Sequence, residues 1–290
     1  MDYVLKALCL NNEARVYIVN TKDMANEFVK RHDLWPSAAS VLTKTATVAT
    51  LMGAMLKGDQ ALTIKVNGGG PVGNVIVDAN AYGEVRGYVD HPHVHFSRKN
   101  SLDDVTTLGN DGFIDVIKDL ELKDLFTSTT PLITGDLAKD FTYYFVTSEQ
   151  TPSVVSLGTL ITEDNKIELS GGLIIQLLPN ATESTIQAIE SKVNELSHLS
   201  DLLFKYTNLE DILKLLFNND YEILEIKTVR FNCNCSKEKF AGGIASLGKE
   251  EIKQMIEEDE NAEVICHYCN NIYNYSKDEL SKIMEGEKND

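Results

Sequence analysis

The chain is short of cations. Its 27 Lys and Arg stand against 44 Asp and Glu in 290 residues, a formal net charge of −17. Phosphate binding needs clustered cations, so this balance excludes a nucleic-acid surface and a protein held on anionic lipid. Long apolar runs are also missing. None approaches the roughly 20 residues that span a bilayer. The segment MDYVLKALCLNNEARV carries an acid at Asp2 and lacks the apolar core and cleavage site of a signal peptide. The expected compartment is therefore a reducing, bacterial-type cytoplasm. Cysteine is scarce over most of the chain: Cys9 stands alone in the first 232 residues, which excludes a disulfide scaffold there. Disorder is excluded by a hydrophobic share of 43% beside 24% charged, ordinary values for a chain that buries a core.

What is present is a change of character along the chain. VLKALCL and ARVYIVN read as strands joined at Asn11-Asn12. Two helices follow. The second starts after Trp35-Pro36, with Ser37 as expected N-cap, one buried face through Val41, Leu42, Val48, Ala49, Met52, Met55 and Leu56, and Gly58 as its stop. ALTIKV, GNVIVDA and GEVRGYV form a strand meander, with turns at Gly68-Gly69-Gly70 and at 80–83. FIDVIKD and PLIT read as strands, 135–149 as a helix, and VVSLGTLI and GGLIIQLL as a further strand pair. Strands in groups with interspersed helices imply an α+β fold, mainly antiparallel sheet with packed helices, over residues 1–180. Residues 181–229 read as a helical linker. Ile186, Ile189, Val193 and Leu196 mark one amphipathic helix, and Asn208 caps another carrying Leu209, Ile212, Leu213, Leu216 and Phe217. Little strand signal is expected in 181–225, and its apolar stripe must lie on something. Residues 230–290, with 8 basic and 13 acidic side chains, form a small C-terminal unit.

The strongest chemical signal lies in that unit. Cys233-Asn234-Cys235 and Cys266-His267-Tyr268-Cys269 are two close pairs, 30 residues apart. Two such pairs supply four thiolates to one tetrahedral Zn²⁺, at about 2.3 Å per Zn–S bond. Thiolate softness favours zinc or iron–sulfur chemistry over Mg²⁺ or Ca²⁺. Four cysteines make a closed site with no place for a catalytic water. A unit of this size has little core of its own and needs such a staple. The C-x-C side departs from the usual C-x-x-C, and a bridge across it would be strained and easily reduced. Spacing alone therefore leaves both a structural zinc knuckle and a redox switch open.

At these residues the chain resembles the heat-shock protein 33 family. LMGAMLKGDQALTIKVNGGGPVG, GFIDVIKDL, DFTYYFVTSEQTPS, GGLIIQLLP, VRFNCNCS and EVICHYCNNIYNY are similar to family segments, in the family's order and from end to end. The resemblance implies a redox-regulated chaperone with a compact N-terminal domain, a helical middle segment and a C-terminal zinc redox-switch domain. It implies that Cys233, Cys235, Cys266 and Cys269 hold Zn²⁺ when reduced. It further implies that they pair as Cys233–Cys235 and Cys266–Cys269 when oxidised. The oxidised family members hold unfolding client proteins as homodimers, without ATP.

Other signals are weaker. Gly68-Gly69-Gly70-Pro71-Val72-Gly73 lacks the Lys-Ser/Thr of a phosphate loop and precedes a strand, so no nucleotide site is expected. His91, His93 and His95 alternate around Pro92 and read as exposed strand or loop; His267 lies between two ligands and is expected outside the metal set. Ser148-Glu149 reads as a helix end held by polar contacts, Tyr143, Tyr144 and Phe145 as core, and Cys9 as a buried small side chain. No catalytic residue is expected. The competing classes are a thiol oxidoreductase using Cys266 and Cys269, which lacks a thioredoxin-like βαβ context, and a structural zinc-ribbon interaction protein.

Overall fold

The computed structural model describes residues 1–99, 101–196, 198–259 and 261–286 and divides into two compact units, Met1–Asn232 and Cys233–Asp290. The first unit opens with hairpin β1 (Tyr3–Cys9) and β2 (Ala14–Asn20), then α1 (Lys22–His32) and α2 (Pro36–Gly53). A meander follows: β3 (Ala61–Gly69), β4 (Val75–Asn80) and β5 (Glu84–Val89). The short β6 (Ser97–Arg98), β7 (Ser101–Leu102) and α3 (Asp104–Leu108) lead into β8 (Gly109–Asp119), β9 (Phe126–Pro131) and α4 (Leu137–Thr147). Next come β10 (Ser153–Ile161), β11 (Ile167–Leu177), α5 (Glu183–Leu196), α6 (Leu199–Lys205), α7 (Leu209–Phe217), β12 (Tyr221–Thr228) and β13 (Arg230–Phe231). One sheet runs β10-β11-β2-β1-β12 and is antiparallel throughout; the other runs β13-β5-β4-β3-β8-β9, with only β13 parallel to its neighbour.

Helix α2 lies between these sheets, against β3, β4 and β5 on one side and β2, β10 and β11 on the other. One buried face was the expectation. Instead every residue from Ser37 to Gly53 is buried except half-buried Lys44. SAASVLTKTATVATLMG suits this because its side chains are small or apolar all round. Three of its hydroxyls bond within the helix: Thr45, Thr47 and Thr50 donate to the carbonyls of Val41, Thr43 and Ala46 at 2.7–2.9 Å. The cap also differs from expectation. Trp35 occupies the N-cap position with Pro36 in the first turn, while Ser37 Oγ exchanges 2.9 Å bonds with the main chain of Phe96. The helix stops at Gly53, not Gly58, and its end tightens into i→i+3 bonds from the Met55 and Leu56 N–H groups to the Met52 and Gly53 carbonyls at 3.0 and 3.1 Å.

The five-stranded sheet carries packing on both faces. Its second face packs Leu5, Ala7, Cys9, Val16, Ile18, Leu173 and Ile175 against Leu199 of α6 and Leu209, Ile212, Leu213, Leu216 and Phe217 of α7. Asn208 caps α7 as expected, its side chain accepting the Glu210 N–H at 3.0 Å. Two strands depart from the sequence reading. The expected PLIT strand lies earlier, as β9. The N–H groups of Ile133, Thr134 and Gly135 turn instead to the buried Asp140 carboxylate at 2.8–3.1 Å, so they cannot continue a ladder. Residues 221–228 form edge strand β12 on β1, in a stretch expected to be helical. Tyr143 is 41% exposed, whereas Tyr144 and Phe145 are core. Among the described residues no helix is long and apolar enough to cross a membrane.

The second unit comprises α8 (Lys237–Ala245), α9 (Lys249–Asp259), hairpin β14 (Asn261–Ile265) and β15 (Ile272–Ser276), and α10 (Lys277–Glu285). Its own core is small: Ile244, Ile252, Ile256, Ala262, Tyr275, Leu280 and Ile283. Ser276 and Glu279 form a reciprocal capping box at α10.

Candidate metal centre

Two backbone devices bring the cysteines of the second unit together. Cys233 and Cys235 sit on an irregular segment that ends where Ser236 caps α8. Lys239 Nζ donates to the Asn234 carbonyl at 2.6 Å and ties that segment to the helix. Cys266 and Cys269 lie in the tight turn of the β14–β15 hairpin. The Cys266 carbonyl accepts from the N–H groups of Cys269 and Asn270 at 3.2 and 2.8 Å, and Asn270 takes a left-handed φ of 55° that closes the turn.

The four sulfurs all lie within 4.8 Å of one another, with Cys233–Cys266 at 3.8 Å and Cys235–Cys269 at 3.3 Å. A tetrahedron with Zn–S bonds of about 2.3 Å has sulfur–sulfur edges of about 3.8 Å. The cluster matches that size. Cys266 and Cys269 are buried, and Cys233 and Cys235 half-buried. Burial pushes the Cys269 and Cys266 thiols up. Burial also pushes Cys235 up, but hydrogen bonds from the Tyr273 hydroxyl and the other three thiols outweigh it and bring Cys235 to about 7. The Cys235 thiolate thus forms readily, while Cys266 and Cys269 resist. A cation of charge +2 is what lets all four ionise together. The donor set is thiolate only, which suits a soft, tetrahedral ion and leaves no open position.

Tyr273 was not singled out by the sequence reading. Its hydroxyl lies 3.1 Å from Cys235 Sγ and donates to the Cys235 carbonyl at 3.2 Å, and its ring packs on Phe240 at 5.3 Å. The thiolate beside it raises its own pKa to about 12. Its signal was the strand period: Tyr273 and Tyr275 are two apart on β15 and share a face. Tyr275 goes to the core and Tyr273 to the cysteines.

The other candidates lie elsewhere. His267 is exposed in the turn and not among the clustered groups. His93 Nε2 meets Asp33 at 2.9 Å and His95 Nδ1 faces Ser37 Oγ at 3.5 Å, so the alternating histidines diverge. Cys9 is 1% exposed and burial pushes its thiol up to about 12. The glycine-rich segment is packed backbone to backbone: a Cβ at Gly70 would lie 2.3 Å from the Leu108 carbonyl carbon. Glu149 accepts from Tyr144 Oη at 2.5 Å and Lys118 Nζ at 2.6 Å, which holds the end of α4 as expected.

Comparison with known proteins points the same way. The sequence model described as Hsp33 protein matches residues 2–276. The 33 kDa chaperonin of Bacillus subtilis is 46% identical over 287 residues, covering 98% of this chain and 99% of that protein. Those of Bacillus velezensis and Staphylococcus aureus are each 45% identical over 287 residues, again 98% of this chain and 99% and 98% of theirs. The crystal structure of the 33 kDa chaperonin (heat shock protein 33 homolog) of Thermotoga maritima superposes with a TM-score of 0.91 at 29% identity, covering 98% of both chains. The expected α+β architecture is thereby borne out, and the cysteine cluster fits zinc binding and redox regulation. The chain belongs to the Hsp33 family of chaperones.

Proposed function

We propose that this protein is a redox-switched, ATP-independent holdase acting in the cytoplasm on unfolding proteins during oxidative and heat stress. The observation that carries the reading is the convergence of four thiols in a unit whose own core is small. Cys233, Cys235, Cys266 and Cys269 hold Zn²⁺ in the reduced, inactive form. The ion supplies charge neutralisation and the cross-link that the small core lacks. Oxidation by peroxide forms Cys233–Cys235 and Cys266–Cys269. Each bridge gives up two electrons and reduces one peroxide to two waters, so two peroxides complete the switch. A disulfide sulfur is no longer a thiolate ligand, so the metal is released.

Functionally the chain then has three parts. Residues 1–180 form the constant scaffold, 181–229 the helical linker, and 230–290 the switch. Loss of the cross-link unfolds the switch and loosens the linker. The apolar face of 181–229 and the sheet beneath it become the surface for clients and for a second copy of the chain. The thiol oxidoreductase reading is the weaker one. Cys266 and Cys269 are 4% and 3% exposed with thiols pushed up, whereas a redox catalyst needs an accessible thiol pushed down.

The test is light scattering from heat-unfolding luciferase, with the protein added reduced and zinc-loaded or peroxide-treated. Suppression by the oxidised form alone is expected. Equal suppression by both forms, or by neither, sinks the proposal. Insulin reduction with dithiothreitol turnover would instead establish the oxidoreductase.

A further inference from the structure

Two cations of the first unit stand together without an acid of their own. Lys6 on β1 is the cross-strand partner of Tyr17 on β2, and its Nζ lies 5.7 Å from the centre of the Tyr17 ring. Arg15 precedes Tyr17 by two residues, so it shares that face of the sheet. Among the described residues neither Lys6 nor Arg15 forms an ion pair, in a chain with 44 acids and 27 cations. The acid opposite Lys6 is Glu225 of β12, and it holds Lys227 at 3.1 Å. The residues opposite Arg15 are Leu8 and Gln176, which carry no charge. Arg15 Nε is buried and has no hydrogen-bond partner. Burial first, then Arg15, push the Lys6 amine below its ordinary value; Glu225 opposes them, and Lys57 and Lys227 add to the push. A buried donor left unmade on a charged group is costly, and a like charge beside it adds to the cost. An arrangement of this kind calls for an ion that completes it.

We infer that Lys6 and Arg15 form a binding site for a single phosphate dianion. The guanidinium presents Nε–H and Nη–H as a parallel fork that matches two oxygens of one oxyanion, and the unmade Nε–H is one prong. Lys6 places a point charge beside the fork. A carboxylate would balance only one of the two positive charges, whereas a phosphate dianion balances both. The ligand is inorganic phosphate or the phosphoryl group of a small monoester, which share this chemistry. Both side chains are half-buried, so the site opens to solvent. It lies wholly in the first unit and is independent of the holdase reading.

The test uses the full chain, reduced and zinc-loaded, at a salt concentration of about 0.15 M. It is titrated by calorimetry with inorganic phosphate and, separately, with glycerol phosphate. One equivalent should bind with a Kd of about 1 mM or below, and the ¹⁵N–¹H signal of Arg15 Nε should shift as it does. Tighter binding of glycerol phosphate identifies the ligand as a monoester; tighter binding of phosphate identifies it as the free ion. Arg15→Lys keeps the charge and removes the fork, and Lys6→Gln keeps the length and removes the charge. Each should weaken binding about tenfold or more. No binding by wild type, or equal binding by wild type and both variants, would overturn the inference. So would an Arg15 Nε–H signal that neither ligand moves, and that measurement on wild type decides the matter if the variants do not fold.

Discussion

The two compact units solve the problem of holding together in opposite ways. Met1–Asn232 surrounds one helix with two sheets and buries that helix on every side. Among its described residues, Cys233–Asp290 has one short hairpin, three helices and an apolar core of seven buried side chains, and adds four thiols within 4.8 Å. Stability in the first comes from packed area, which no oxidant alters. Under the proposed switch, stability in the second depends on the oxidation state of sulfur, so that a redox signal unfolds one part and leaves the other standing.

The sharpest way to break the contrast is to remove the metal. Chelation, or Cys266→Ser with Cys269→Ser, should cost the second unit on the order of 10 kcal/mol and unfold it. Amide spectra should lose dispersion for 233–286 only; collapse of both units together would refute the separation. The converse is Leu51→Ala inside α2, 0% exposed, which should cost the first unit about 2–5 kcal/mol in a urea melt and leave zinc affinity unchanged. A third test uses pH. Asp2 is buried and accepts the N–H groups of Asp23 and Met24, at 3.0 and 2.7 Å, at the start of α1. Burial, outweighing those bonds, raises its carboxyl from 3.8 to about 6. A raised folded pKa means its stabilisation is complete below the unfolded value and is lost as pH rises through 6. Wild type should lose up to about 3 kcal/mol from this group between pH 4 and 7. Asp2→Asn should lack that slope in urea melts across the range. The smallest effect is Tyr273→Phe, which removes one hydroxyl from Cys235. Zinc affinity should fall about tenfold by competition with a chromophoric chelator, and the first unit should not respond.

Legibility in the sequence followed the range of the interactions. The cysteine cluster was readable because its chemistry lies in spacing. The meander and the β10–β11 pair were readable because strand alternation and turn residues are local. Helix α2 was read with one buried face because amphipathic periodicity is the usual cue, and a helix between two sheets has none. Strand β12 was missed because its ladder partner, β1, is about 200 residues away. Its alternation, YEILEIKT, is muted by an edge position that leaves Leu224 and Ile226 exposed. Tyr273 was hidden for another reason: two equivalent tyrosines share a face, and only tertiary packing sends one to the core and one to a thiolate.

The pairing of β1 with β12 also has a consequence for synthesis. Tyr3 through Cys9 find their partners at Thr228 through Tyr221. At about 5–20 residues per second, a ribosome needs about 10–40 seconds between making the one strand and making the other. Throughout that interval the nascent sheet carries an uncovered row of backbone donors and acceptors, open to any other emerging strand. A chaperone of this design spends the first half-minute of its existence as a candidate for chaperoning.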